Sequence, residues 1–320
     1  MVDSQLPIAR ADLHVHSCHS RQSGNFRFLK SRDCYARPAD VYRIAKARGM
    51  DFVTLTDHDS IDGCLEFFDE HHGVRDFFVS EEVSCRFPGT DLEVHLGVYG
   101  LTERLHRELQ RVRGNVFDAA DLLRRTETFF SLNHLLHFYR GQVPFDEYLR
   151  LLDAVPALEA RNGTMLREHN ELVSRLALWP ARGRGTLGRV GGSDAHTLRR
   201  VGRTWTSAPG ATVEQFVASL ARGNGDVGGL HGTAGVVAAD AYGVILRYVG
   251  SLLGLGPRDH RPLRRIACLL FSAVSVPAQS LPVVIATRGK IAERREVRRA
   301  TLALERVLGR AVADAGAEKC

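Results

Sequence analysis

The sequence lacks most of the features that place a protein quickly. Its six cysteines, Cys18, Cys34, Cys64, Cys85, Cys268 and Cys320, form no CxxC pair. That scatter fits reduced thiols in a cytoplasm better than a disulfide framework. The opening MVDSQLPIARADLH has no long apolar run after a basic start, so no secretory signal is expected. There is no internal repeat and no low-complexity tract. No helical DNA-binding motif and no aromatic-interleaved basic groove is visible, which puts nucleic acid below small phosphorylated molecules as the expected partner.

What is present is ordinary globular material. The chain has 320 residues, 44% hydrophobic and 25% charged, enough for one α/β barrel and an extension. Its formal net charge is +6, from 43 basic and 37 acidic residues. A mild basic excess favours anionic partners such as phosphate esters, nucleic acid or a lipid surface without choosing among them. The late basic runs, Arg261 to Arg265 and Arg294 to Arg299, read equally well as solvated helix faces. Residues 266–286 carry no charge and have the length of a membrane span. They also contain Pro277, Pro282, Gln279 and three serines, so a buried or interfacial helical hairpin is the expected form.

Short apolar runs alternate with helical patterns from residue 11 to about 230. ADLHVH, DFVTLT, DFFVSEEV, LEVHLGVY, FFSLNH, AVPALEAR and RVGGSD are the expected strands. Helices are expected over ARPADVYRIAKARGM, where Pro38 opens and Gly49 closes the pattern, and near 102–127, 145–152, 164–178 and 212–222. Alternation of this kind predicts a parallel sheet, and about seven repeats predict a closed or nearly closed α/β barrel. From about 235 only helices are expected, the last of them, KIAERREVRRATLALERVLGRAVADA, amphipathic with an Arg-rich face. The expected division is a barrel over 1–230 and a helical extension over 231–320.

Chemistry is sought at strand ends, where a parallel barrel collects its functional side chains. His14 and His16 in DLHVH are two apart on one strand and face one side. His58 lies within the charged triplet Asp57, His58 and Asp59 after FVTLT, with Asp59 expected to cap the helix near Ile61. Of Glu81 and Glu82, one is expected to face solvent, and Glu82 is assigned to the site. His95 and His134 interrupt or end apolar strands. Asp194 and His196 in GGSDAH repeat the two-residue spacing, with glycines that allow close backbone approach. Imidazoles and carboxylates aimed at one place are the donor set of divalent metals.

The ordered motifs DLHVHS, TLTDHD, SEEVS, EVHLGVYG, LNH and GGSDAH, spread over residues 10–225, resemble the PHP family, named for polymerase and histidinol phosphatase. The resemblance implies a distorted (β/α)7 TIM-like barrel holding two or three divalent ions, Mn, Zn or Fe. It implies His14, His16, Glu82 and Asp194 as ligands of a first ion. Glu82, His95 and His134 serve a second, with Glu82 bridging, and His58 and His196 a third. Asp12 and Asp57 are expected behind these ligands, orienting them. One motif departs: HSCHSRQSG puts Arg21 and Gln22 where family members carry an Asp or His. That leaves the third ion without its acid and offers Arg21 as a fixed charge for phosphate. His19 has the wrong offset to replace it.

The implied reaction is hydrolysis of a phosphate ester by in-line attack of a metal-activated hydroxide, without a phosphoenzyme. His58, His196 and Asp194 are the expected catalytic residues, with His196 or His58 protonating the leaving oxygen if no third ion binds. Arg161 and Asn162 follow the strand AVPALEA, and Arg161 is a candidate for bidentate phosphate binding. Arg199 and Arg200 are weaker candidates, and His169 is read as structural. The expected substrate is a phosphorylated small molecule or nucleotide. A stand-alone or polymerase-associated nuclease is the second reading, and a non-catalytic, membrane-associated binding module the third. The extension, 235–290 in particular, could pack on the barrel, dimerise or lie on a membrane.

Overall fold

The computed structural model describes residues 6–20, 32–178, 186–255, 262–274 and 280–317. The first strand is β1 (Ile8–Ala11), followed by helix α1 (Pro38–Ala47), β2 (Val53–Leu55), α2 (Asp62–Glu70), β3 (Phe77–Arg86) and β4 (Glu93–Tyr99). Then come α3 (Glu103–Val112), α4 (Val116–Arg125), β5 (Phe130–Leu132), α5 (Phe145–Tyr148), α6 (Arg150–Ala154) and β6 (Ala157–Asn162). The barrel part ends with α7 (Arg167–Ala177), β7 (Gly188–Gly192), β8 (Thr204–Pro209), α8 (Val213–Ala221) and β9 (Asp226–Gly229). Helices α9 (Ala234–Leu252), α10 (Pro262–Val274) and α11 (Leu281–Ala317) complete the chain.

Local chemistry sets several boundaries. Pro38 sits in the first turn of α1 and Gly49, at φ +80°, lies just past its end. The single helix expected over 102–127 is two, because Asn115 stops one and caps the next by accepting from Phe117 N. Asp59 caps nothing: α2 starts without a side-chain cap, and the Asp59 carboxylate accepts from Ser84 N and pairs with Arg113 at 3.1 Å.

Six strands form a curled half-barrel in the order β2-β3-β4-β5-β6-β7. The expectation of an all-parallel sheet fails at β4, which is antiparallel to both neighbours. Residues 87–92 join β3 to β4, and a link that short makes a hairpin but not a crossover. The expected strand ADLHVH is displaced as well. The regular strand, β1, lies ahead of it, sharing only Ala11, and pairs antiparallel with β8 in a second sheet, β1-β8-β9, which the strand patterns had not predicted.

The segment after β1 then closes the barrel. Thr56 N donates to Val15 O on one side, while His16 N donates to Ala195 O and Asp194 N to His14 O on the other. This seventh stave puts His14 and His16 between the ends of β2 and β7. Leu96, Leu109, Leu123, Leu132, Leu158 and Leu172 are fully or almost fully buried in one large core between sheet and helices. Burying a leucine side chain contributes roughly 2 kcal/mol.

The helical extension packs on the barrel. Val297, Ala300 and Leu304 of α11 join the main core. Glu293 accepts from Leu166 N at the start of α7, and Asp240 of α9 accepts from Thr197 Oγ1. The uncharged run 266–286 is interrupted: α10 ends at Val274, α11 starts at Leu281, and 275–279 lie outside the described residues. By length and composition alone, α9 is the one described helix long and apolar enough to cross a membrane.

Candidate metal centre

Burying a carboxylate or imidazole is unfavourable unless it is paired, yet one end of this barrel buries a cluster of them. Glu82 of β3 stands at its middle, fully buried. Its Oε2 lies 3.1 Å from His14 Nε2, 3.6 Å from His16 Nε2 and 3.1 Å from His58 Nδ1. Its Oε1 lies 3.2 Å from His95 Nδ1 and 3.0 Å from His134 Nε2. Asp194 Oδ1 is 3.5, 3.4 and 3.7 Å from His14 Nε2, His16 Nε2 and His196 Nδ1. The structure therefore brings together all eight residues expected to hold metal.

The folding of each piece explains the convergence. His14 and His16 share a face of the closing stave. His58 and Glu82 follow or lie on neighbouring strands and form a parallel bridge. His95 comes from the start of reversed β4, opposite Ser84 of β3; an antiparallel strand presents its beginning where parallel ones present their ends. His134 and Asp194 have left-handed backbones, φ 26° and 50°, which few non-glycine residues adopt without a local reason. Gly192 allows the stave and β7 to touch, since a Cβ there would overlap the backbone N and Cβ of His14.

The cluster fits cations. His14 Nε2, His16 Nε2, His58 Nδ1, His95 Nδ1 and Glu82 Oε2 are buried without a hydrogen-bond partner, although buried polar atoms are nearly always satisfied. Two donors each about 2.1 Å from one ion in a tetrahedral arrangement stand about 3.4 Å apart, and the separations above match. Among the described residues, four donor sets have all their ligand atoms within 4.8 Å of one another: His14–Glu82–His134, His14–His16–Asp194, His58–Glu82–His95 and His16–Asp33–His58–His196.

That last set contains a residue the sequence reading missed. Asp33 Oδ2 lies 2.9 Å from His196 Nε2 and 3.8 Å from His58 Nε2. It supplies the acid that was expected soon after the first HxH. Arg21 and Gln22 lie outside the described residues. His19 bonds Glu66 at 2.8 Å instead of joining the cluster.

The supporting residues also differ from expectation. Asp12 does not orient a ligand ring. It binds Ser193 N and Oγ and Gly202 N, tying the stave to the loop after β7, and burial raises its pKa to about 6 against those bonds. Asp57 likewise holds Ser17, through N and Oγ. The ring of His14 is oriented by Glu159, which accepts at 2.8 Å from Nδ1 and also from His134 N. Glu159 was a lone carboxylate in an apolar strand, the signal that drew attention to His95, and it went unread.

Neither Glu81 nor Glu82 faces solvent. Glu81 is buried on the opposite side of β3 and pairs with His106 Nδ1 at 2.7 Å. Arg161 does not reach the cluster. Its guanidinium donates to Gly229 O on β9, while Asn162 and Thr164 Oγ1 donate to Asp194 Oδ2 and leave Oδ1 to the histidines. Arg200 is buried beside Asp240 and donates to Gly163 O. With exposed Arg199 and the first turn of α9 it lines a cavity of about 270 Å³. His169 bonds Leu135 O and is fully buried, as a structural residue would be.

Electrostatics separates the two histidines expected to carry a proton. Burial pushes His58 down to about 3, despite Glu82 beside it. Burial also works against a charged His196, but Asp33 and Asp194 outweigh it and raise His196 to about 10. Glu82 and Asp194 are held well below the ordinary carboxylate range by the surrounding imidazoles, again against burial.

Several known proteins are similar to this chain in part of its sequence or in its fold. The family model described as PHP-associated matches residues 183–224, the stretch of β7, β8 and α8. An uncharacterized protein of Methanocaldococcus jannaschii is 39% identical over 57 residues, 18% of this chain and 33% of that one; the match spans about a third of the relative's length. PsfC from Pseudomonas syringae superimposes with a TM-score of 0.50 at 18% identity, covering 75% of this chain and 98% of that one, a likeness of fold. A two-domain protein from Bacteroides vulgatus, "containing predicted PHP-like metal-dependent phosphoesterase", has a TM-score of 0.48 at 15% identity, with 75% and 71% covered.

Proposed function

We propose that this chain, which belongs to the PHP domain family, hydrolyses a phosphate ester of a small molecule or nucleotide at the cluster around Glu82. The observation that carries the reading is the one carboxylate with its two oxygens each facing two or more buried, otherwise unpartnered ring nitrogens. Glu82 would bridge two ions. His14, His16 and Asp194 would complete one site, and His95 and His134 the other. When bound, divalent ions supply Lewis-acid polarisation of the phosphoryl oxygens and a nucleophile available near neutral pH.

The chain's own groups do the positioning. Glu159 fixes the His14 ring so that Nε2 points inward. Glu93 does the same for His95 by accepting from its Nε2 at 2.8 Å. Asn162 and Thr164 hold Asp194. Such partners behind a ligand are worth about 10- to 100-fold in metal affinity or activity. His196, charged and the most exposed of the ligand histidines, holds a proton at Nε2 that Asp33 stabilises. It is placed to protonate a leaving oxygen, and neutral His58 is not. Ligation of a third ion by the same Nε2 excludes this role. A count of two ions per chain goes with the acid and three with the ligand.

Asp33 also counts against the non-catalytic reading, one of whose two grounds was a missing acid, the other being the apolar C-terminal part. The test is an assay of Mn-loaded protein on phosphomonoesters and phosphodiesters beside Asp194→Asn. Hydrolysis by the parent, reduced on the order of 10³-fold in the variant, supports the reading and identifies the ester class. No turnover under Mn, Zn or Fe, with the metals demonstrably bound, would sink it.

A further inference from the structure

Soluble proteins rarely leave large apolar side chains exposed together. Sixteen exposed large apolar residues are found among the described residues, and twelve of them lie between 245 and 291. Ten belong to α9, α10 and α11 and two, Leu253 and Leu255, to the turn just after α9, and α10 and α11 both pack on α9. On α9, Leu246 is 70% exposed; on α10, Ile266 and Leu270 are 56% and 63% exposed; on α11, Ile285 is 55% exposed. In α10 these side chains stand four apart on one face, while Cys268 on the other packs against Tyr248 and Leu252 of α9.

The same stretch is charged almost entirely in one sense. From residue 241 to 292 the single acidic residue is Asp259, against seven arginines and lysines. Among them, Arg247 and Arg288 are exposed beside the apolar side chains. This charge decides between two occupants of the face. A second copy of the chain would bring like charges together, with almost no acid to answer them. An anionic lipid surface answers the exposed pair, Arg247 and Arg288, and apolar insertion plus basic side chains gives the two contributions that stable peripheral binding needs.

We propose that the outer face of α9, α10 and the first half of α11 docks the protein on an anionic lipid bilayer. The helices lie on the surface and do not span it. Helix α9 is tied to the barrel by the Asp240–Thr197 hydrogen bond, and its Tyr248 and Leu252 are buried in the protein. The barrel is thereby held at the bilayer by the extension that packs on it.

The test is co-sedimentation of the full chain with vesicles of phosphatidylcholine alone and of phosphatidylcholine mixed with phosphatidylglycerol, at low and high salt. Binding is expected to the mixed vesicles only, and to weaken with salt. Arg247→Glu is expected to weaken it by about fivefold or more, and Leu246→Ser with Leu270→Ser to abolish it. All these side chains are exposed, so circular-dichroism melts should match the parent. If the serine pair melts early, Arg247→Glu with Arg288→Glu gives the same reading. No binding to mixed vesicles overturns the proposal, and equal binding to both kinds overturns its charge argument. A dimer by light scattering that the serine pair dissolves assigns the face to a second copy instead.

Discussion

The barrel end and the helical extension break the burial rule in opposite directions. Around Glu82, polar atoms are buried and left without partners. Along α9 to α11, large apolar side chains are exposed and left without cover. Each violation is unfavourable for an isolated chain, and each is relieved by something outside the chain, a cation in one case and a lipid surface in the other. Elsewhere among the described residues such violations are scattered singly. His106 pairs with buried Glu81, and Arg113 pairs with Asp59.

The sharpest way to break the contrast is to separate the walls of the cluster. Gly192→Ala introduces a methyl where His14 already stands. Because the clash is with backbone, relief requires the stave to move away from β7. The expected cost is about 3 kcal/mol, near the upper end for overpacking, together with loss of one bound ion. A chemical denaturation curve and metal analysis of the same sample check both. If the melt shifts but the ions stay, the close approach matters for packing alone.

Glu159→Gln asks for less. It keeps the shape but replaces one of two accepting oxygens, which between them take hydrogen bonds from His14 Nδ1, His134 N and Asn162 Nδ2, by an NH2 group. The expected result is metal affinity about 10- to 100-fold weaker, with a smaller cost, about 1 kcal/mol, to the stability of the chelated protein. A competitive chelator titration measures the first and a melt the second. Equal loss of stability in chelated protein would make Glu159 part of the frame and leave the His14 ring to find its own orientation.

How much of this was legible beforehand depends on distance along the chain. His14 with His16 and Asp194 with His196 could be paired because a two-residue spacing on an extended segment fixes a shared face, whatever the fold does next. Glu82 could be chosen over Glu81, but the belief that one of them met water failed because β3 is covered on both faces. Asp33 could not be read: it sits in no strand and follows no apolar run, and only the path of the chain from Arg32 to Tyr35 brings it to His196. Reversed β4 was signalled only by the shortness of its link to β3. The small sheet β1-β8-β9 was missed because TWTSAP and DVGG are short and carry glycine and proline, weak signals beside the long apolar strands.

The smallest predicted effect concerns His169, a buried imidazole outside the cluster whose Nε2 bonds Leu135 O while Nδ1 has no partner. Burial lowers its pKa from the ordinary 6.5, so the folded protein holds it neutral while the unfolded chain protonates it freely. The stability it contributes is therefore present above about pH 6.5 and is lost as the pH falls below it, by at most about 1.4 kcal/mol per pH unit. The raised histidines of the cluster, His14, His95 and His196, act with the opposite sign, so the absolute pH dependence mixes the two. The difference between parent and His169→Gln isolates one. Melting both as chelated proteins between pH 7.5 and 5.5, the parent should lose stability relative to the variant as the pH falls. Parallel curves would mean that His169 stays neutral in the unfolded chain as well, or that a proton reaches Nδ1 in the folded one.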